Sequence, residues 1–193
     1  MSKLWVFGDS FTAGNGCLHN EAYTKYKESD NDLVWPEIMA NTLNLELINR
    51  GMGAYSNDKI IDTIIEDYNL INKNDLVIIG TTFYNRFDIP DDNTLLTLSP
   101  TNLLEGNNQE LLLHFISIMD SNLLKERHKL RIDFLKQQFI KKEAKCLIWE
   151  VETEWVKYEN IKIATDNEIK DLHWSYRGHK DFANYILNII NNE

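Results

Sequence analysis

Basic residues are in short supply. Lysine and arginine number 20 against 30 aspartates and glutamates, a formal net charge of −10. Sequence-independent nucleic-acid binding needs a basic face that displaces counterions, and so does attachment to an anionic membrane surface. Neither partner is expected. Cys17 and Cys146 are the only cysteines. Two are too few for a disulfide framework or a four-cysteine zinc site, and they fit a reducing compartment. Three prolines and eight glycines leave no stretch with the composition of a linker. No run of ~20 apolar residues is present to span a bilayer. The opening MSKLWVFGD lacks an apolar core of export-signal length. A soluble cytoplasmic protein without membrane insertion is therefore expected. Its 193 residues, 43% hydrophobic and 26% charged, suit one compact domain over 1–193, with an irregular insertion around 81–110. The oligomeric state is not legible.

Short apolar runs alternate with helical patterns along the chain. KLWVFG (3–8), LELINRG (45–51), DLVIIG (75–80) and KCLIWEV (145–151) read as strands, and IKIA (161–164) as a fifth. Helical spacing appears in LVWPEIMANTL, where Pro36 suits a first turn, and in the segment from Ser56, where Ser56 or Asn57 can cap. It also marks residues 110–144 and the last segment, from Ser175 to Ile190. Apolar, β-branched strands in this order predict an α/β fold, a three-layer α/β/α sandwich around a doubly wound, mostly parallel five-stranded sheet. Ligands in such folds bind beyond the carboxyl ends of the strands. The turns after Gly8, Gly51 and Gly80 therefore matter, with the loop before the last helix.

The first of these turns is VFGDSFTAG. Ser10 there has two readings: a helix N-cap, or a nucleophile raised above the sheet with backbone N–H groups behind it for an oxyanion. Asp9 reads as a cap or turn residue. A serine nucleophile needs a base. Among five histidines, His19 sits in a polar loop, His114 and His128 read as packing or surface residues, and His179 as structural. His173, in DLHWSYRGH, comes two residues after Asp171 and immediately before the last helix. It is either a surface histidine or a base whose tautomer Asp171 would fix. With Ser10 on the facing turn, the catalytic reading is preferred. Arg86 is read as a structural ion pair or a substrate contact, and Gly51 as a plain turn glycine.

FGDSFTAG near the start and DLHWSYRGH near the end together resemble the first and last blocks of the SGNH hydrolases, the GDSL esterase/lipase family. WPEIMANTLNLELINRGMGAYSND is similar to the segment carrying the family's second block, and DLVIIGTTFYNRFDI stands where its third block stands. The resemblance implies a flavodoxin-like SGNH hydrolase fold, with Ser10 as nucleophile and N–H donor, His173 as base and Asp171 as orienting carboxylate. Asp171 and His173 are spaced Asp-x-His rather than the commoner Asp-x-x-His, an arrangement resembling that of SGNH-type alginate acetylation proteins. The family's oxyanion glycine falls on Ala54, with Gly53 just before it. Its oxyanion asparagine falls on Thr82 by count, while Asn85 is the nearest asparagine.

These readings make a serine ester hydrolase the expected function. It would act on a small-molecule or glycan ester such as an O-acetyl group, without metal or organic cofactor. An O-acyltransferase with the same residues and a non-catalytic binding domain of the same fold are the alternatives. A flavodoxin-like nucleotide binder is disfavoured, because the Gly8 turn lacks Gly-x-Gly-x-x-Gly and a P-loop lysine.

Overall fold

The computed structural model describes residues 2–14, 33–84, 86–91, 94–98, 121–150, 173–174 and 176–192. In chain order the elements are β1 (Lys3–Phe7), α1 (Ser10–Ala13), α2 (Trp35–Leu43), β2 (Glu46–Asn49), α3 (Asn57–Asp67), β3 (Leu76–Thr81), β4 (Phe87–Asp91), β5 (Thr94–Leu98), α4 (Ser121–Lys141), β6 (Lys145–Glu150) and α5 (Tyr176–Asn192).

Successive strand side chains point to opposite faces of a sheet, and β1 is apolar on both. Leu4 and Val6 join Ile78, Leu147, Trp35 and Phe182 in one core. Trp5 and Phe7 join Ile79, Ile60, Ile64 and Phe139 in the other. The unbroken apolar runs follow from this double burial. Helices α2 and α5 cover the first face; α3 and α4 cover the second.

The sheet runs β2-β1-β3-β6 and all its pairs are parallel. The chain moves outward from β1 to β2, then crosses back to place β3 on the other side of β1. The winding direction thus changes between β1 and β3, and a crevice is expected at their carboxyl ends. At the opposite end of the sheet Asp75 is buried for a structural reason. Its carboxylate accepts the Lys3 N–H (2.8 Å), the Asn72 N–H (2.9 Å) and the Trp5 indole N–H (3.1 Å).

Among the described residues the main sheet has four strands; residues 161–164, expected as a fifth, lie outside them. One expectation needs correction. The stretch expected to be irregular contains an antiparallel pair, β4 and β5, with Phe87 opposite Leu98 and Asp91 opposite Thr94. Pro90 cannot donate to a ladder and is tolerated at edges, so a two-stranded pair accommodates it where a central strand would not. The long helical pattern at 110–144 is described from Ser121 onward, as α4.

Cys146 is a free thiol in β6, and burial pushes its pKa up to about 12. It is therefore a packed, unreactive sulfur. Cys17 lies outside the described residues. No helix among the described residues is long and apolar enough to cross a membrane.

Candidate active site at the carboxyl edge of the sheet

The turn after β1 carries Ser10 into α1. The N-cap of α1 is Asp9, whose Oδ1 accepts the Phe11 N–H at 3.1 Å. Capping therefore does not fall to Ser10, which opens the helix and is 3% exposed. Three further contacts hold this short helix. The Trp35 indole donates to the Phe11 carbonyl (3.1 Å), the Asn49 side-chain amide donates to the Thr12 carbonyl (3.1 Å), and Gly14, at φ 77°, caps the end on the Ser10 carbonyl.

Gly51 is not a plain turn glycine. A Cβ there would lie 2.5 Å from Ala13 N and 2.7 Å from the Thr12 carbonyl carbon. The loop after β2 is pressed backbone to backbone against α1. Gly51→Ala should therefore push α1 aside, costing about 1–3 kcal/mol of stability. Urea unfolding checks this, with Met52→Ala, a half-exposed neighbour, as the control expected within about 0.5 kcal/mol of the parent. Beyond Gly51 the Met52 N–H donates to the Gly8 carbonyl at 3.1 Å. The Gly53–Ala54 turn thus starts beside the residue two before Ser10. Ala54 holds φ 63°, a left-handed conformation that is unusual for a residue with a Cβ.

The loop after β3 reaches the same place. Asn57, the first residue of α3, clamps the Thr82 backbone from both sides: its amide donates to the Thr82 carbonyl (3.0 Å) and its Oδ1 accepts the Thr82 N–H (2.9 Å). Thr82 is fully buried. Its hydroxyl donates to Asp9 Oδ2 at 2.6 Å and accepts from Arg86 Nη1 at 2.9 Å. Arg86 Nη1 also donates to Asp9 Oδ2 at 3.1 Å. Asp9, Thr82 and Arg86 therefore form a closed ring of hydrogen bonds behind the Ser10 turn. Burial pushes the Asp9 carboxyl above the usual aspartate range, while the Thr82 hydroxyl, the Arg86 guanidinium, the Phe11 N–H and His173 each pull it down.

His173 reaches this edge from the other end of the chain. Its ring lies 5.3 Å from that of Phe11, the residue after Ser10. Trp174, fully buried, packs on Phe11 at 5.0 Å and on Phe182 of α5 at 4.8 Å. Ser10, at the start of α1, and Gly53, Ala54, Thr82 and His173, on loops, are thus at one edge of the sheet, while Asp171 and Asn85 lie outside the described residues. From the sequence Asp9 reads only as a cap or turn residue, with no link to Arg86. The residues involved are 77 positions apart, and no local pattern links them. His128 is buried beside Tyr84, at 6.2 Å between rings, as a packing residue. Among the described residues no group of three or more histidine, cysteine, aspartate or glutamate side chains is arranged to hold a metal.

The chain matches solved structures of G-D-S-L family lipolytic proteins over nearly its full length. One, from Veillonella parvula DSM 2008, is 15% identical, with 100% of both chains covered and a TM-score of 0.43. Another, from Desulfitobacterium hafniense DCB-2, is 14% identical, with 96% of this chain and 98% of that chain covered and a TM-score of 0.43. A gut microbial diltiazem-metabolizing enzyme is 11% identical over 97% of this chain and 46% of its own, with a TM-score of 0.39. No family model and no curated protein matches the chain.

Proposed function

We propose that the protein hydrolyses a small ester, such as an O-acetyl group on a glycan, through an acyl-enzyme on Ser10. The observation that carries this reading is the division of labour at the first turn. Asp9 takes the cap, Ser10 opens α1 without a capping role, and His173 stands across the Phe11 ring. In the forward step Ser10 Oγ bonds to the ester carbonyl carbon, the carbonyl electron pair moves to oxygen, and the serine proton passes to His173. Collapse of the tetrahedral species breaks the bond to the alkoxy group, which leaves with that proton. Water repeats the sequence and frees the acid; a sugar hydroxyl in place of water would give acyl transfer. Asp171 is assigned to orient the imidazole. The backbone N–H groups of Ser10 and of Gly53 or Ala54 are assigned to the oxyanion. For Thr82 to serve the oxyanion directly, its hydroxyl must turn away from Asp9; Asn85 is the other side chain proposed for that place.

A fluorophosphonate probe tests the reading. One label per chain is expected, on Ser10 by peptide mapping, with none on Ser10→Ala, together with turnover of p-nitrophenyl acetate in preference to long-chain esters. An unlabelled wild-type chain that binds acetylated glycan without cleaving it would favour the binding-domain alternative.

A further inference from the structure

We infer that Arg86 supplies the side-chain donor of the oxyanion hole, an inference that rests on the hydrolase reading above. Among the described residues, Arg86 Nη1 bonds to all three loops at the edge. It donates to Asp9 Oδ2 at 3.1 Å on the first, to the Tyr55 carbonyl at 3.5 Å on the second, and to Thr82 Oγ1 at 2.9 Å on the third. Tyr55 directly follows the Gly53–Ala54 turn, and Asp9 directly precedes Ser10. The guanidinium is thus bonded to the residue before Ser10 and to the residue after the Gly53–Ala54 turn, the two segments assigned to supply the backbone donors.

Its unused edge is what makes it a donor. A guanidinium carries five N–H groups in a rigid plane. Among the described residues every side-chain hydrogen bond of Arg86 leaves from Nη1, which leaves three N–H groups on Nε and Nη2. The Arg86 side chain is 18% exposed where Asp9 is 2% exposed. Phe83 supports the plane, its ring 5.4 Å from Arg86 Cζ. Thr82 is the weaker candidate, because its single proton is directed to Asp9 at 2.6 Å. The ring of hydrogen bonds therefore fixes one edge of the guanidinium and presents the other. An oxyanion forming on the Ser10 adduct accepts from that edge. A cation fixed in place before the reaction stabilises charge that develops only in the transition state.

Steady-state kinetics with p-nitrophenyl acetate on the full chain, with Arg86→Lys and Arg86→Ala, tests this. Both variants should lower kcat by roughly 10²–10³-fold with KM changed by less than about threefold. The inhibition constant of a phenylboronic acid, whose borate on Ser10 mimics the tetrahedral anion, should rise in step with the loss of kcat. Millimolar guanidinium should restore part of the rate to Arg86→Ala and none to Ser10→Ala. Folded variants with wild-type kcat overturn the inference and leave the hydrolase reading intact. So does a rise in KM confined to esters with an anionic acyl group, which would make Arg86 a substrate-binding residue. A wild-type chain that neither turns over esters nor takes the fluorophosphonate removes the hydrolase reading and this inference together. If neither variant folds, the wild-type crystal structure with the boronate decides. Nε or Nη2 within hydrogen-bond distance of a borate oxygen supports the assignment, and a longer separation overturns it.

Discussion

His173→Gln should leave a folded protein whose kcat is lower by roughly 10⁴-fold or more, with KM within a few-fold of the parent. The two halves of this expectation come from two neighbouring residues. Trp174 is the anchor: it is fully buried and packs, with tilted rings, between Phe11 and Phe182. His173 is only partly buried, and the backbone that holds it is fixed by its neighbour. Removing the imidazole therefore takes away the group assigned to accept the serine proton without removing the contact that docks α5 on α1. The stability cost should stay near 1 kcal/mol, within the ordinary range for a substitution outside the core. Substrate binding does not require proton transfer, so KM should hold while kcat falls. A folded His173→Gln protein that keeps kcat within tenfold of the parent would sink the assignment of His173 as base. Exogenous imidazole restoring part of the rate to His173→Ala or His173→Gly would support it.

The strands of the main sheet and the site loops were legible for the same reason. The central stretches of these strands, Leu4–Phe7, Leu76–Ile79 and Leu147–Trp149, pack into the cores on one or both faces of the sheet and stand out as apolar runs. Each ends where the chain must leave the core, and the polar residues at those exits are the candidate site. Ser10 and His173 were found from their places on such exits. The roles within the edge were less legible. Whether Ser10 or Asp9 caps α1 depends on a single φ/ψ choice at the turn, and both residue types cap well. Thr82 was singled out by counting along the third loop, but its hydroxyl direction depends on Asp9, 73 positions earlier. Arg86 was visible as a structural ion pair or a substrate contact, but the identity of its partner was not. Its ring with Asp9 and Thr82 exists only once β1 and β3 lie side by side. The pair β4 and β5 was missed because Pro90 and the acidic residues around it break the alternation that marks a strand packed on a core.

The second large effect concerns acid stability and the histidine six residues beyond His173. His179 is 1% exposed, with the Trp174 ring edge-on at 5.5 Å, and neither of its ring nitrogens has a hydrogen-bond partner among the described residues. Burial, and to a lesser degree the charge of His173, lowers its pKa from 6.5 to about 3. The folded chain therefore keeps this imidazole neutral at pH values where the unfolded chain protonates it. The unfolded state then binds more protons, and stability falls as pH falls. The contribution is fully present above the unfolded value of 6.5, declines below it, and is lost once pH passes about 3. Each pH unit in that window is worth about 1.4 kcal/mol, so the whole window amounts to roughly 4–5 kcal/mol. That is a large share of the stability of an ordinary domain. His179→Leu removes the titrating group while keeping an apolar side chain of similar size against Trp174. Urea unfolding of both proteins from pH 7 to pH 4 should show the parent losing stability faster, the gap widening by about 1 kcal/mol per unit below pH 6. Carboxylates common to both chains cancel in that difference. A gap that stays constant with pH would mean that His179 takes up its proton as readily in the fold as in the unfolded chain. The same Trp174 that faces His179 packs on Phe11, so the group that acid charges lies one aromatic ring away from the Ser10 turn.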